Sequence, residues 1–466
     1  MLFNSTVFLQ FFLAFMLLYW SARNHRTARN LLILAGSYFF YGWWDSRLLS
    51  LIIFSSLLDF HVGRKLSEET CSKKRKIWLT VSMTGNISVL CFFKYFGFFI
   101  DSLKTALDPL SLSLSIPSMD IILPVGISFY TFQTMSYTLD IYRRQLKPTE
   151  NWVQFMAYVA FFPQLVAGPI ERARRLLPQF DRELSITRTD WNEGTWLILW
   201  GMFKKVVVAD NLAPLVEMSF SHPDPTCITT VAGVFAFSLQ IYGDFSGYSD
   251  IARGLARLLG FKIMLNFNLP YFACNLREFW NRWHISLSTW LRDYLYISLG
   301  GNRGTRFMTC RNLMITMLLG GLWHGAAWGF IIWGAWHGCG LIALRIFGQR
   351  FKNRLPLPRP LSWLLTMSFI GYGWLLFRSE NLVMIMKLSR SLLVVGAPEW
   401  IGQYLINLIF FTLPLLLFQW IQWKRNNLMW PMNLRFSRRI ALQGILLAAI
   451  ILYWEKADQP FIYFQF

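Results

Sequence analysis

Apolar runs of the length a bilayer demands recur along almost the whole chain, and basic residues gather in the gaps between them. Crossing the hydrocarbon core takes about 17 to 25 apolar residues in a helix, which satisfies every backbone N–H and C=O within the segment. Residues 1–22 carry no charge, and Arg23, Arg26 and Arg29 follow at once. A cleaved leader carries its positive charge before the apolar run, so a first spanning helix with its N-terminus outside is expected here. Residues 30–44 and 48–61 flank a turn at Asp45, and RKLSEETCSKKRK (64–76) makes a basic loop expected on the cytoplasmic side. The segment 77–93 returns outward, the polar stretch 101–118 fits an outer loop, and 121–142 leads back to Arg143, Arg144 and Lys147. YVAFFPQLVAGP (158–169) is broken by Pro163, Gly168 and Pro169, which predicts a bent or re-entrant element surrounded by protein or a watery cavity. The charged stretch 171–190 is expected along the cytoplasmic surface. Segments near 195–218, 227–249, 311–345, 361–377, 403–422 and 440–453 bring the total to roughly ten to twelve membrane elements. No repeat, low-complexity tract or linker divides the chain, so one all-α polytopic membrane domain is expected over 1–466.

Composition agrees and narrows the function. Of 466 residues 55% are hydrophobic, 17% aromatic and only 15% charged, which is too apolar for a soluble domain. The excess of 45 Lys+Arg over 25 Asp+Glu, a net +20, belongs in loops facing the cytoplasm and anionic lipid, not on nucleic acid. Six scattered cysteines form no CxxC pair, so neither a disulfide framework nor a zinc site is implied.

Chemistry is concentrated in three stretches. LGGLWHGAAWGFIIWGAWHG (319–338) has no acid, lysine or arginine, yet contains His324 and His337. An ionisable group within the membrane faces the bundle interior or water and is a functional hypothesis by default, the bland alternative being a core histidine bonded to a carbonyl. Gly321, Gly325 and Gly329 recur every four residues, a smooth stripe for close helix approach. On one continuous helix His337 would lie about 220° around from His324, so the two make no metal pair, and the structural reading is favoured for His337. His25, His61 and His222 fall in or beside loops.

The second stretch, 266–306, is dense in Trp, Tyr and Arg and contains His284. As a helix it puts Arg282, Ser286, Thr289 and Asp293 on one face and Trp283, Trp290 and Tyr294 on another. That pattern suits an interfacial aromatic belt, or a cytoplasmic mouth whose arginines meet a phosphate-bearing donor. In the third, FSLQIYGDFSGYSDIARG (237–254), Gln240, Asp244, Ser246, Tyr248 and Asp250 sit at the end of an apolar segment, as an interhelical network or the lining of a path. Lys204 and Lys205 interrupt another apolar run, and snorkelling toward headgroups is the plainer account of them.

FWNRWHISLSTWLRDYLYISLGGNR (279–303), GGLWHGAAWGFIIWGAWHG (320–338) and YGDFSGYSD (242–250) together resemble the membrane-bound O-acyltransferase family, in its bacterial alginate O-acetyltransferase branch. LFNSTVFLQFF (2–12) and PFIYFQF (460–466) resemble it too, and Gly243 departs from an expected aromatic. The resemblance implies a ring of helices around a central tunnel in the bacterial inner membrane, with an essential histidine matched by His324 and a second, near the donor side, matched by His284. It implies an acyl thioester, acetyl-CoA or an acyl carrier, as co-substrate, with no permanently bound cofactor and no metal. It also implies membrane lipid as environment and, as partners, an extracytoplasmic acetyltransferase and a polysaccharide-modification complex. Gln240, Asp244, Tyr248, Arg282, Trp283, Ser286, Arg292, Asp293, Arg303 and Trp323 are the expected donor-binding or tunnel-lining residues.

The chemistry is coherent with that reading. An alcohol attacking a thioester loses a proton as the bond forms, and imidazole is the side chain best poised to take it at neutral pH. His324 is then the base, His284 orients or polarises the thioester, and Arg282, Arg292 or Arg303 meets the donor's phosphates. D-alanyl transfer to teichoic acid, and a polysaccharide or lipid transporter, are the competing readings.

Overall fold

The computed structural model describes residues 1–107, 109, 121–166, 168–350, 357–454 and 461–462, with main chain alone at 348–350; most of the expected outer loop 101–118 lies outside the described residues. The regular secondary structure of these residues is all helical, with no strand among them. Six helices are long and apolar enough to cross a membrane: Ser46–Glu68, Ser72–Leu107, Cys227–Leu258, Trp328–Phe347, Arg359–Arg378 and Ile401–Arg425. Leu13, Leu17, Ile409, Phe410 and Ile451 are among the large apolar side chains left exposed, as lipid-facing surfaces require.

The chain divides into two compact units, residues 1–187 with 259–263, and residues 188–258 with 264–466. In the first, Leu49–Glu68, Ser72–Leu90 and Ile127–Tyr142 are bolted by buried polar groups. Asp59 accepts from Ser82 Oγ at 2.5 Å and from Asn86 Nδ2 at 2.8 Å, while Ser55 and Thr134 complete the cluster. The element at 158–169 is broken, as expected: Trp152–Val159 ends and the four-residue helix Phe162–Leu165 follows. The Phe162 ring, fully buried, lies among Phe11, Phe15 and Phe40, so this bend is held by packing. Arg75, expected in a basic loop, lies instead in the helix Ser72–Leu90, is 7% exposed and donates to the carbonyls of Leu66, Ile141 and Tyr142.

The second unit holds every site residue proposed from sequence. It contains an antiparallel hairpin of Arg306–His324 and Trp328–Arg350. One continuous helix through 319–338 was expected, but the chain breaks at Gly325–Ala327 and reverses, which places His324 at the tip. Close approach explains the glycines. A Cβ at Gly321 would come 2.1 Å from the Phe330 carbonyl oxygen, and one at Gly334 2.4 Å from that of Met317. Gly334→Ala is therefore expected to force the two backbones apart and cost about 1–3 kcal/mol; thermal unfolding in detergent measures it, and an unchanged midpoint would refute the close contact.

The lysines overturn a third expectation. Lys204 and Lys205 do not snorkel: they are 2% and 1% exposed, on the π-helical segment Phe203–Ala209. Lys204 Nζ lies 2.7 Å from Asp250, and Lys205 Nζ lies 2.7 Å from Asp210 and 2.9 Å from Asp244. Cys227–Leu258, which carries Asp244 and Asp250, packs tightly enough that a Cβ at Gly243 would sit 2.9 Å from the Lys204 carbonyl oxygen, so an aromatic does not fit this wall.

Candidate active site

A strap at 264–268 builds the bend that presents His284. Leu276–Arg282 starts on the Asn275 cap, whose side chain accepts from the Glu278 N–H, and Ile285–Trp290 forms a separate helix. The single amphipathic helix expected over 282–294 is thus interrupted: Trp283 is extended and His284 has φ 41°, a left-handed conformation uncommon for a non-glycine residue. The strap receives the freed backbone groups, with Asn268 N donating to Arg282 O and Ile285 N to Asn266 O, both at 2.9 Å.

Asn266, fully buried, is the residue that sequence reasoning missed. Its Oδ1 accepts from Ser286 N at 3.2 Å and Ser286 Oγ at 2.9 Å, and lies 3.1 Å from His284 Nδ1. A backbone N–H can only donate, so the oxygen is correctly placed, and Nδ1 must carry the imidazole proton. The lone pair then resides on Nε2. His284 is an acceptor toward any ligand, and it cannot polarise a carbonyl in this tautomer. Asn266→Ala is expected to strand the Ser286 donors at a cost of about 2 kcal/mol and to release the tautomer; melting temperature and transfer rate should both fall, and a variant equal to its parent in both would disprove the role.

His284 and His324, forty residues apart in sequence, come together with ring centroids 6.5 Å apart, and are 1% and 4% exposed. Trp323 stands against both, 5.7 Å from His284 and 5.1 Å from His324. Phe245 meets His284 edge-on at 4.6 Å, while Trp333 at 5.1 Å and Phe377 at 5.3 Å close around His324. His337 lies one ring further, 4.8 Å from Trp333 and 5.1 Å from Trp280. Hairpin folding, not helical rotation, sets the relation of His337 to His324.

Several buried polar atoms in this aromatic cluster bond to nothing in the protein: Nε1 of Trp280, Trp333 and Trp374, and Nδ1 of His337. Such a group costs about 1–3 kcal/mol if it is never satisfied, and these four are ones the protein itself leaves unsatisfied.

The remaining expected site residues are dispersed. Trp283 is 1% exposed and packs on Phe267 and Trp374. Ser286 is drawn inward to Asn266, whereas Arg282 pairs with Glu278 at 2.9 Å. Arg292 and Arg303 are exposed; Asp293 accepts from Arg292 Nε at 2.7 Å, and that bond raises the already high pKa of the guanidinium. Asp244 is committed to Lys205 and accepts from the Ile462 N–H, and Tyr248 packs on Phe461 at 4.5 Å. Gln240 is half-buried, with Oε1 unbonded. No group of three or more His, Cys, Asp or Glu suited to a metal occurs among the described residues.

Comparison with known proteins places this arrangement. Residues 143–386, which include both histidines, match the membrane-bound O-acyltransferase family. A probable alginate O-acetylase of Azotobacter vinelandii is 44% identical over 86% of this chain and 79% of its own length, and one of Pseudomonas putida is 38% identical over the whole of both. A peptidoglycan O-acetyltransferase of Helicobacter pylori is 34% identical over 84% of this chain and 80% of its own. With membrane-length helices, a pair of buried imidazoles and these relatives, the chain belongs to the membrane-bound O-acyltransferase family and is a multi-pass membrane enzyme of acyl transfer.

Proposed function

We propose that the protein carries an acetyl group from a cytoplasmic thioester, acetyl-CoA or an acyl carrier, through a passage in one integral domain to the outer face of the bacterial inner membrane, for O-acetylation of an alginate-like polysaccharide. The observation that carries this reading is the meeting of His324 and His284 inside an aromatic enclosure, 6.5 Å apart. His324, at the hairpin tip, takes the proton of the attacking alcohol. His284, with its lone pair on Nε2, accepts a hydrogen bond from an amide N–H of the thioester's pantetheine arm and orients the donor. Trp283 and Trp323 wall the passage, and the exposed Arg292 and Arg303 meet the donor's phosphates at the cytoplasmic mouth. The rings around the site exclude bulk water, which protects the thioester from hydrolysis. An extracytoplasmic acetyltransferase receives the group, and the N-terminus lies outside. The named activity of the alginate and peptidoglycan O-acetylating relatives supports the acetyl group and the polysaccharide.

The test uses the full chain in sealed proteoliposomes, with [14C]acetyl-CoA on the cytoplasmic side and alginate plus the partner acetyltransferase on the other. Label should accumulate on the polymer across the bilayer. Movement of polymer or lipid without label transfer would establish a transporter instead.

A further inference from the structure

We propose that the indole N–H groups beside His324 hold the thioester through its carbonyl oxygen, with Trp333 donating to the oxygen that gains negative charge during transfer. This rests on the thioester donor and the His324 base proposed above. Trp333 and Trp374 are each 2% exposed, and their Nε1 atoms bond to nothing in the protein. Trp333 meets His324 edge-on at 5.1 Å, Trp280 lies 5.7 Å from Trp333, and Trp374 lies 6.4 Å from it. An indole nitrogen donates only and carries no charge. Three such donors in an apolar enclosure suit carbonyl oxygens on an uncharged chain and give no counter-charge to a phosphate.

The tautomer of His284 strengthens the assignment. Its Nδ1 proton is directed to Asn266, which removes the one histidine that could have polarised the carbonyl from the donor side. The reaction nevertheless needs a donor. As the alcohol oxygen bonds to the carbonyl carbon, its proton passes to His324 and the carbonyl π pair moves onto oxygen, where the Trp333 N–H meets it. Collapse re-forms the C=O bond and breaks C–S, and the sulfur leaves as a thiolate that takes the proton back from His324. Donors aimed at developing charge in a dry site do more than they could in water.

The experiment compares S-acetylpantetheine with its thioether counterpart S-ethylpantetheine, which lacks only the carbonyl oxygen, on the full chain in nanodiscs. The parent is expected to bind the thioester at least tenfold more tightly. Trp333→Phe keeps an aromatic ring, though a smaller one, and deletes the N–H; it should bring the two affinities within about twofold and lower kcat about 10²-fold. Trp374→Phe supplies the same reading should Trp333→Phe fail to fold. A role in packing alone would weaken both probes together and leave their ratio at the parental value, and that result in whichever of the two variants folds overturns the proposal. His324→Ala should lose turnover yet keep the parental ratio. If His324→Ala still transfers acetyl, the base assignment falls while the affinity ratio still judges the indoles.

Discussion

His324→Ala is expected to purify as a folded protein melting within a few degrees of its parent, and to transfer acyl groups at least about 10²-fold more slowly. The rate expectation comes from general-base assistance, worth about 10² to 10⁴, and from the loss of the group that returns a proton to the leaving sulfur. The stability expectation comes from the surroundings. Removing one imidazole leaves a gap walled by Trp323, Trp333 and Phe377, of which Phe377 keeps its contacts with Trp333 and Phe330 and Trp323 keeps its contact with His284. Such a gap costs on the order of 1–3 kcal/mol, a small shift in a chain of this size. His61→Ala, at an exposed position, is the control and should alter neither quantity. Retention of more than a tenth of the parental rate by His324→Ala would end the base assignment.

Which parts of this site could be read from sequence follows from the range of the interactions that build it. His324 and His284 were legible because an imidazole in hydrocarbon needs a reason, wherever its neighbours turn out to be. The breaks that bring them together were not. Apolar periodicity runs unbroken through WHGAAWG and NRWHISLS, yet the chain reverses at Gly325–Ala327 and turns left-handed at His284. The cause of the second break is Asn266, eighteen residues upstream in an irregular strap with no periodic signal of its own. Trp333 and Trp374 read as ordinary membrane aromatics, and only their unbonded nitrogens mark them out. Lys204 and Lys205 failed for the same reason of range. Snorkelling is the economical account of a lone lysine, but Asp244 and Asp250 come from another helix.

Those buried charges carry the second large prediction. Lys205→Met should leave little folded protein, because Asp210 and Asp244 share its ammonium at 2.7 and 2.9 Å and would remain buried as carboxylates without it. Removing one partner of a buried ion pair costs about 3–5 kcal/mol, a large part of the stability of an ordinary domain. The damage reaches the site through the tail. Asp244 Oδ2 accepts the Ile462 N–H at 2.6 Å, and Phe461, fully buried, lies 4.5 Å from Tyr248 and 5.9 Å from Phe245. Phe245 in turn presses edge-on against His284. Neutralising all three together, as Lys205→Met with Asp210→Asn and Asp244→Asn, removes the stranded charges and keeps an amide oxygen to accept from Ile462. That triple variant should recover monodisperse protein in size-exclusion chromatography where the single one does not. If Lys205→Met alone is as abundant and as heat-stable as its parent, the carboxylates find water or protons readily, and the cluster is a polar cavity and not an ionic clasp for the tail.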